Sequence, residues 1–224
     1  MDHKIVDNRN LNVLPEPFAS SDVSIRGTET DVILDDVIVR EKVAIVGDET
    51  VGKTSIVQSF LKMDQKPYSK NYHMTTNLDV QVSEISVPNT NITVDLFLFD
   101  MGGQSIFNQR QMAERFWENC TYVICVFDVS SRKSMQSAKT WVASVRSASS
   151  IPDNNTILVA NKVDLREAVD SLVEIDQGEG KEFADEHGFQ YFECSAETFV
   201  GVDAPFKYIA NKSAKEYQSR IEPQ

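Results

Sequence analysis

A single loop restricts the fold of this chain more than any other feature. Gly47-Asp48-Glu49-Thr50-Val51-Gly52-Lys53-Thr54 reads G-x-x-x-x-G-K-T, a pattern that works only between a buried strand and the start of a helix. Both flanks are present. Val43-Ala44-Ile45-Val46 is an apolar run of strand length, and Ile56, Val57, Phe60 and Leu61 recur behind the loop at helical spacing. The glycines let main-chain N–H groups turn inward around an anion, and the helix N-terminus adds partial positive charge. On this reading Asp48, Glu49, Thr50, Val51, Gly52, Lys53, Thr54 and Ser55 surround phosphate groups. Lys53 bridges the β- and γ-phosphates, and the Thr54 hydroxyl ligates Mg²⁺.

The rest of the chain repeats the strand-then-helix theme. Leu78, Val80 and Val82 alternate as in a strand, whereas Ile85 and Val87 fall on the opposite parity, which predicts a bulge or break near Ser83-Glu84. Pro88-Asn89-Thr90-Asn91 is a turn, and Val94 to Phe99 is the return strand of a hairpin. Tyr122 to Phe127, Thr156 to Ala160 and Phe189 to Cys194 are further strands. Met135, Ala138, Trp141, Val142 and Val145 stripe one helix, Phe183-Ala184 sits in a short one closed by Gly188, and Phe206, Ile209, Ala210, Ser213 and Tyr217 stripe the last. The pattern predicts an α/β fold with a mainly parallel six-stranded sheet, one antiparallel edge strand and helices on both faces. Ligands of such sheets lie beyond the carboxyl ends of the strands, where the polar motifs of this chain fall.

Two of those motifs extend the phosphate loop. Asp100-Met101-Gly102-Gly103 closes a strand; Asp100 is placed to hold Mg²⁺ through water, Gly103 to offer its N–H to a γ-phosphate, and Gln104 to orient an attacking water. Asn161-Lys162-Val163-Asp164 follows another strand. A carboxylate at Asp164 accepts from N1–H and the exocyclic amine of guanine, a pair of donors that adenine lacks, so the site selects GTP over ATP. The Lys162 stem packs over the base, Asn161 ties this loop to the phosphate loop, and Ser195-Ala196 offers a main-chain N–H to guanine O6.

With these motifs in this order, the chain resembles the Ras-like small GTPases, the Rab branch most of all, over about residues 40–217. The resemblance implies a P-loop NTPase G domain over 37–220 that binds GTP and GDP with Mg²⁺. It makes Thr75 the switch I threonine that meets Mg²⁺ and the γ-phosphate, Tyr72 a switch I aromatic, Tyr68 the ring edge-on to the base, and Gln104 the water-orienting glutamine. Thr75-Thr76-Asn77-Leu78-Asp79, Val94 to Asp100 and Val202-Asp203-Ala204-Pro205-Phe206 further look like the Rab-like GTPase subunit of intraflagellar transport complex B. That likeness implies a place in the cilium or flagellum as well as the cytoplasm. It also implies a heterodimer with a small β-sandwich subunit, other complex B proteins as partners, and a last helix whose stripe is partly shared with that subunit.

The departures from the family pattern carry their own expectations. Glu49 and Thr50 stand where small residues are usual, and a carboxylate beside the γ-phosphate hinders both the water and any arginine finger, so GTP hydrolysis is expected to be slow. Met101-Gly102 replaces Thr-Ala, and Glu197 replaces a lysine. The ending Arg220-Ile221-Glu222-Pro223-Gln224 has no cysteine to prenylate and position 2 is Asp, which reads against a lipid anchor. A mainly structural nucleotide-binding subunit and a non-prenylated vesicle-trafficking switch are the alternatives.

Composition narrows the rest. With 22 basic and 34 acidic residues in 224, the net charge of −12 opposes binding to nucleic acid. No apolar run approaches the roughly 18 residues of a membrane span, and the first residues lack a secretory signal. Cys120, Cys125 and Cys194 read as buried thiols of a reducing, cytosolic setting, and His3, His73 and His187 are too dispersed for zinc. Residues 1–36, with Pro15, Pro17 and Ser20-Ser21, read as a flexible extension, with Val32-Ile33-Leu34 as a possible edge strand or docking segment. Phe107, Met112, Phe116 and Trp117 divide between an effector face and core.

Overall fold

The computed structural model describes residues 36–63, 78–101, 117–167 and 173–221. The N-terminal extension, Tyr68, Tyr72, Thr75, Gly103, Gln104, Phe107, Met112 and Phe116 lie outside the described residues.

Strands β1 (Val37–Val46), β2 (Leu78–Ser86), β3 (Ile92–Met101), β4 (Tyr122–Asp128), β5 (Thr156–Asn161) and β6 (Gln190–Glu193) form one sheet in the order β2-β3-β1-β4-β5-β6. Every neighbouring pair is parallel except β2 with β3. Helices α1 (Lys53–Leu61), α2 (Arg132–Ala148), α3 (Gln177–Glu186) and α4 (Ala204–Ile221) follow strands.

The continuous apolar runs are explained by a sheet covered twice. In β4, Tyr122, Ile124 and Val126 join Ile56 and Val57 of α1 and Phe206, Ile209 and Ala210 of α4 on one face. Val123, Cys125 and Phe127 join Met135, Ala138, Trp141, Val142 and Val145 of α2 and Ala184 of α3 on the other. A strand buried on both faces has no polar position to alternate with. Leu98 is 0% exposed, so Leu98→Ala costs about 2–5 kcal/mol through lost transfer energy and the cavity left behind. α2 begins because Ser131 leaves the helical conformation and its side chain accepts from the main-chain N–H of Ser134, which satisfies one of the unpaired first-turn donors. It ends where Ser149 turns extended.

One sequence expectation is corrected here. β2 carries no bulge: it pairs with β3 residue for residue, with Ser83 opposite Leu96 and Glu84 opposite Asp95. The parity change has another cause. Val80 and Val82 lie on the outward face, 42% and 50% exposed, while Ile85 faces the core under the sheet. In the stripe of α4, Phe206, Ile209 and Ala210 are fully buried in the chain's own core, while Tyr217 is half-buried at its edge. Of the aromatic group divided between core and surface, Trp117 belongs to the core at 1% exposure.

The carboxyl ends of β1, β3, β4, β5 and β6 deliver Gly47, Asp100, Asp128, Asn161 and Ser195 to one edge of the sheet. None of the described helices is long and apolar enough to cross a membrane.

Candidate functional site

The loop from Gly47 to Gly52 leaves β1 and enters α1 through Gly52, whose φ of 95° is left-handed. Neither glycine has room for a side chain. A Cβ on Gly47 would lie 2.2 Å from the Val126 carbonyl oxygen, and one on Gly52 would lie 2.3 Å from Asn161 Nδ2. No side chain caps α1, so its first-turn N–H groups open toward the loop, the arrangement that binds anions. Lys53 folds back along the loop and Nζ donates to the Gly47 and Asp48 carbonyls at 3.0 and 2.8 Å. Burial pushes its ammonium below the usual lysine range, and the Asp100 carboxylate counters that. Thr50, β-branched, adopts φ 63°, a conformation costing such residues on the order of 1–2 kcal/mol.

Asp100, at the end of β3, is 1% exposed. Its Oδ2 accepts from the Thr54 hydroxyl at 2.5 Å, while its buried Oδ1 has no hydrogen-bond partner among the described residues. Burial raises its pKa to about 6, against the opposing pull of the Thr54 hydroxyl and Lys53. An unspent carboxylate oxygen beside a hydroxyl is a donor set that fits a hard divalent cation such as Mg²⁺, which Thr54 and Asp100, through water, would hold.

The base end is organised around Asn161, which is 1% exposed at the end of β5. Its Nδ2 donates to the Val51 carbonyl at 2.8 Å, and its Oδ1 accepts from Ala196 N–H at 3.2 Å. One side-chain amide therefore spans the phosphate loop, its own loop and the loop after β6. Asp164 lies on a short 3₁₀ turn, Val163–Glu167, and accepts from the Ser195 hydroxyl at 2.5 Å. That hydroxyl also accepts from Thr198 N–H at 3.1 Å. Lys162 has φ 67°, and its ammonium meets Asp128 Oδ2 at 2.5 Å. Asp128 Oδ1 takes donors from Ser130.

The main-chain N–H groups expected to act at Ser195-Ala196 both have partners within the protein. Ala196 N–H is engaged by Asn161, and Ser195 N–H by the Val200 carbonyl at 2.9 Å. A guanine O6 at this point must therefore share or displace the 3.2 Å bond. The contribution sequence reasoning missed is the Ser195 side chain, which orients Asp164. It also missed Asp128, although a carboxylate at the end of a parallel strand is a signal that could have found it. Elsewhere, Cys120, Cys125 and Cys194 are buried thiols that form no disulfide among the described residues. Burial pushes the thiols of Cys120 and Cys194 up to about 12, which leaves them protonated at neutral pH. No group of three or more His, Cys, Asp or Glu side chains that could hold a metal occurs among the described residues.

The comparisons with known proteins agree with this geometry. The Ras family pattern matches residues 42–215. The chain is 33% identical over 183 residues to an Intraflagellar transport protein 27 homolog of Mus musculus, covering 81% of this chain and 94% of that protein. It is 34% identical over 187 residues to Intraflagellar transport protein 27 of Chlamydomonas reinhardtii, covering 81% and 88%. With Ras-related protein Rab-2B of Dictyostelium discoideum it shares 28% identity over 178 residues, covering 80% and 82%. The loop closed by Lys53, the Thr54–Asp100 pair and the Asn161 bridge therefore sit in a Ras-type G domain, and the chain belongs to the Ras family of small GTPases, on its Rab-like branch.

Proposed function

We propose that this protein is a guanine-nucleotide switch that binds GTP and GDP with Mg²⁺, hydrolyses GTP slowly, and serves as a subunit of the intraflagellar transport machinery of cilia and flagella. The observation that carries the nucleotide reading is the Asn161 bridge, which holds the phosphate loop and the Asp164 loop in one unit. A base and its phosphates can then be met by a single rigid edge. Main-chain N–H groups of the loop and α1 receive the phosphates, and Lys53 exchanges its loop carbonyls for phosphate oxygens. Asp164 accepts from guanine N1–H and the exocyclic amine while Ser195 fixes its orientation. Mg²⁺, when bound, neutralises charge on the β- and γ-phosphates.

The remaining roles are assigned by sequence position. Thr75 joins Thr54 and Asp100 as a metal contact, Gly103 meets the γ-phosphate, Tyr68 and Tyr72 flank the nucleotide, and Gln104 orients the attacking water. Glu49 and Thr50 slow that step, Glu49 through its charge and Thr50 through a strained main chain that resists rearrangement. The transport role and the small β-sandwich partner rest on likeness to the Intraflagellar transport protein 27 homologs. A mainly structural nucleotide-binding subunit is the second reading, favoured by the φ of 63° at Thr50.

Chromatography of the nucleotide released on denaturing the purified protein tests the first claim. GDP or GTP is expected, and ATP alone refutes guanine selection. Turnover below about one per minute without an activator is expected, and a faster rate contradicts the role given to Glu49. Equal partner affinity of the GDP- and GTP-loaded forms would favour the structural reading over the switch.

A further inference from the structure

The geometry points to Trp141 as a positioning residue of the phosphate loop, one that slows nucleotide release by pinning Asp48 to helix α2. This inference rests on the guanine-nucleotide reading above. Trp141 lies on the buried stripe of α2, packed under the sheet with Val142 and Val145 and only 4% exposed. Its place in that stripe accounts for the ring but not for the direction of its polar edge. The indole Nε1–H leaves the core and donates to Asp48 Oδ1 at 2.7 Å, across a sequence separation of 93 residues. Trp117, the other tryptophan, is equally buried, yet its Nε1 has no hydrogen-bond partner among the described residues. Burial alone does not produce the contact.

Asp48 is the loop residue through which such a contact acts furthest. Its carbonyl receives Lys53 Nζ at 2.8 Å, so the residue held by Trp141 is also a seat of the phosphate-binding lysine. At the far side of the loop, Asn161 holds the Val51 carbonyl at 2.8 Å. The two side chains bracket Glu49 and Thr50, and Thr50 is the residue held at φ 63°. A left-handed β-branched residue persists only where its surroundings fix it, and the clamps on Asp48 and Val51 supply that constraint. Losing the first clamp lets the loop relax away from the conformation whose N–H groups converge on phosphate. The ligand is then released sooner, while its encounter rate is little changed.

The test uses the full chain loaded with N-methylanthraniloyl-GDP in Mg²⁺ and chased with excess GDP. Trp141→Phe keeps the ring and deletes the donor, Asp48→Ala deletes the acceptor, and Asp48→Asn keeps an acceptor oxygen without the charge. Release from Trp141→Phe and Asp48→Ala is expected to be about 10-fold faster than wild type, the size of one charge-assisted hydrogen bond. Asp48→Asn should fall between them and wild type. The double variant Trp141→Phe/Asp48→Ala should release no faster than the faster single variant, because both delete the same bond. Wild-type release from Trp141→Phe, or effects that multiply in the double variant, overturns the inference. If Trp141→Phe does not fold, Trp117→Phe leaves Trp141 as the sole tryptophan. Its emission should shift when GDP binds, and an unchanged spectrum at saturation overturns the inference. A wild-type protein that takes up no guanine nucleotide refutes the nucleotide reading and this inference together, whereas normal uptake with unaltered release refutes this inference alone.

Discussion

At the base end of the site, Asp164 is met by Ser195, Lys162 by Asp128, and both ends of the Asn161 amide by main-chain groups. At the phosphate end, Thr50 holds a left-handed conformation, Asp100 keeps a buried oxygen without a partner among the described residues, and Lys53 ligates the carbonyls of its own loop. The base end is thus preset for its ligand. The phosphate end is built from interactions that a phosphate and a cation improve. On the proposed reading, selection of the base and coupling of ligand to stability therefore have different addresses in one site.

The largest effect that sharpens this contrast is on selection. Asp164→Asn replaces an acceptor of two charge-assisted hydrogen bonds, each worth about 1.5–3 kcal/mol. GDP affinity should fall about 10²–10³-fold in a fluorescence titration, with little change in the melting temperature of the nucleotide-free protein. A loss under tenfold would mean that selection does not reside at the base end.

Next comes the pH dependence of the phosphate end in protein free of nucleotide and magnesium. Asp100 is raised from 3.8 to about 6 by burial, so the folded state holds its proton longer than the unfolded state. The contribution is fully favourable below about pH 4 and is lost as pH rises through about 6. It is worth roughly 3 kcal/mol across that window. Urea unfolding at pH 4 to 7 should show this decline against the protein's other titrations, and Asp100→Asn should remove it. Identical pH profiles for the two proteins would show that Asp100 stores nothing.

Smaller effects separate the two ends by sign. Ser195→Ala deprives Asp164 and Thr198 N–H of a partner and should destabilise the nucleotide-free protein by about 1–2 kcal/mol in urea. Thr50→Gly removes left-handed strain at a smaller cost in chain entropy and should stabilise it by about 0.5–1 kcal/mol. If both variants destabilise, the contrast between a preset and a strained end fails.

The succession of strands and helices along the chain and the strand–loop–helix around Lys53 were legible because each follows from local rules. A run such as Val43 to Val46 needs burial on both faces, and Gly52 before Lys53 needs a helix start. The outward Val80 and Val82 were misread because parity reports which face a side chain occupies, and an edge strand can carry apolar residues outward without breaking its ladder. The links between loops were less legible. Ser195 to Asp164 and Trp141 to Asp48 join residues 31 and 93 positions apart, and no periodicity encodes which partner a buried donor will find. Asp128 lies between these cases, since the end of its strand was visible but its lysine was not.

Asn161 has one more consequence. Because a single amide fastens three loops, none of them can fluctuate open at the energy its own hydrogen bonds would dictate. Amide hydrogen exchange around Val51, Lys162 and Ala196 should proceed through one shared opening event, with similar protection in all three segments. The guanine reader and the phosphate cradle would then let go together or not at all, so that a regulator prying at either loop acts on both.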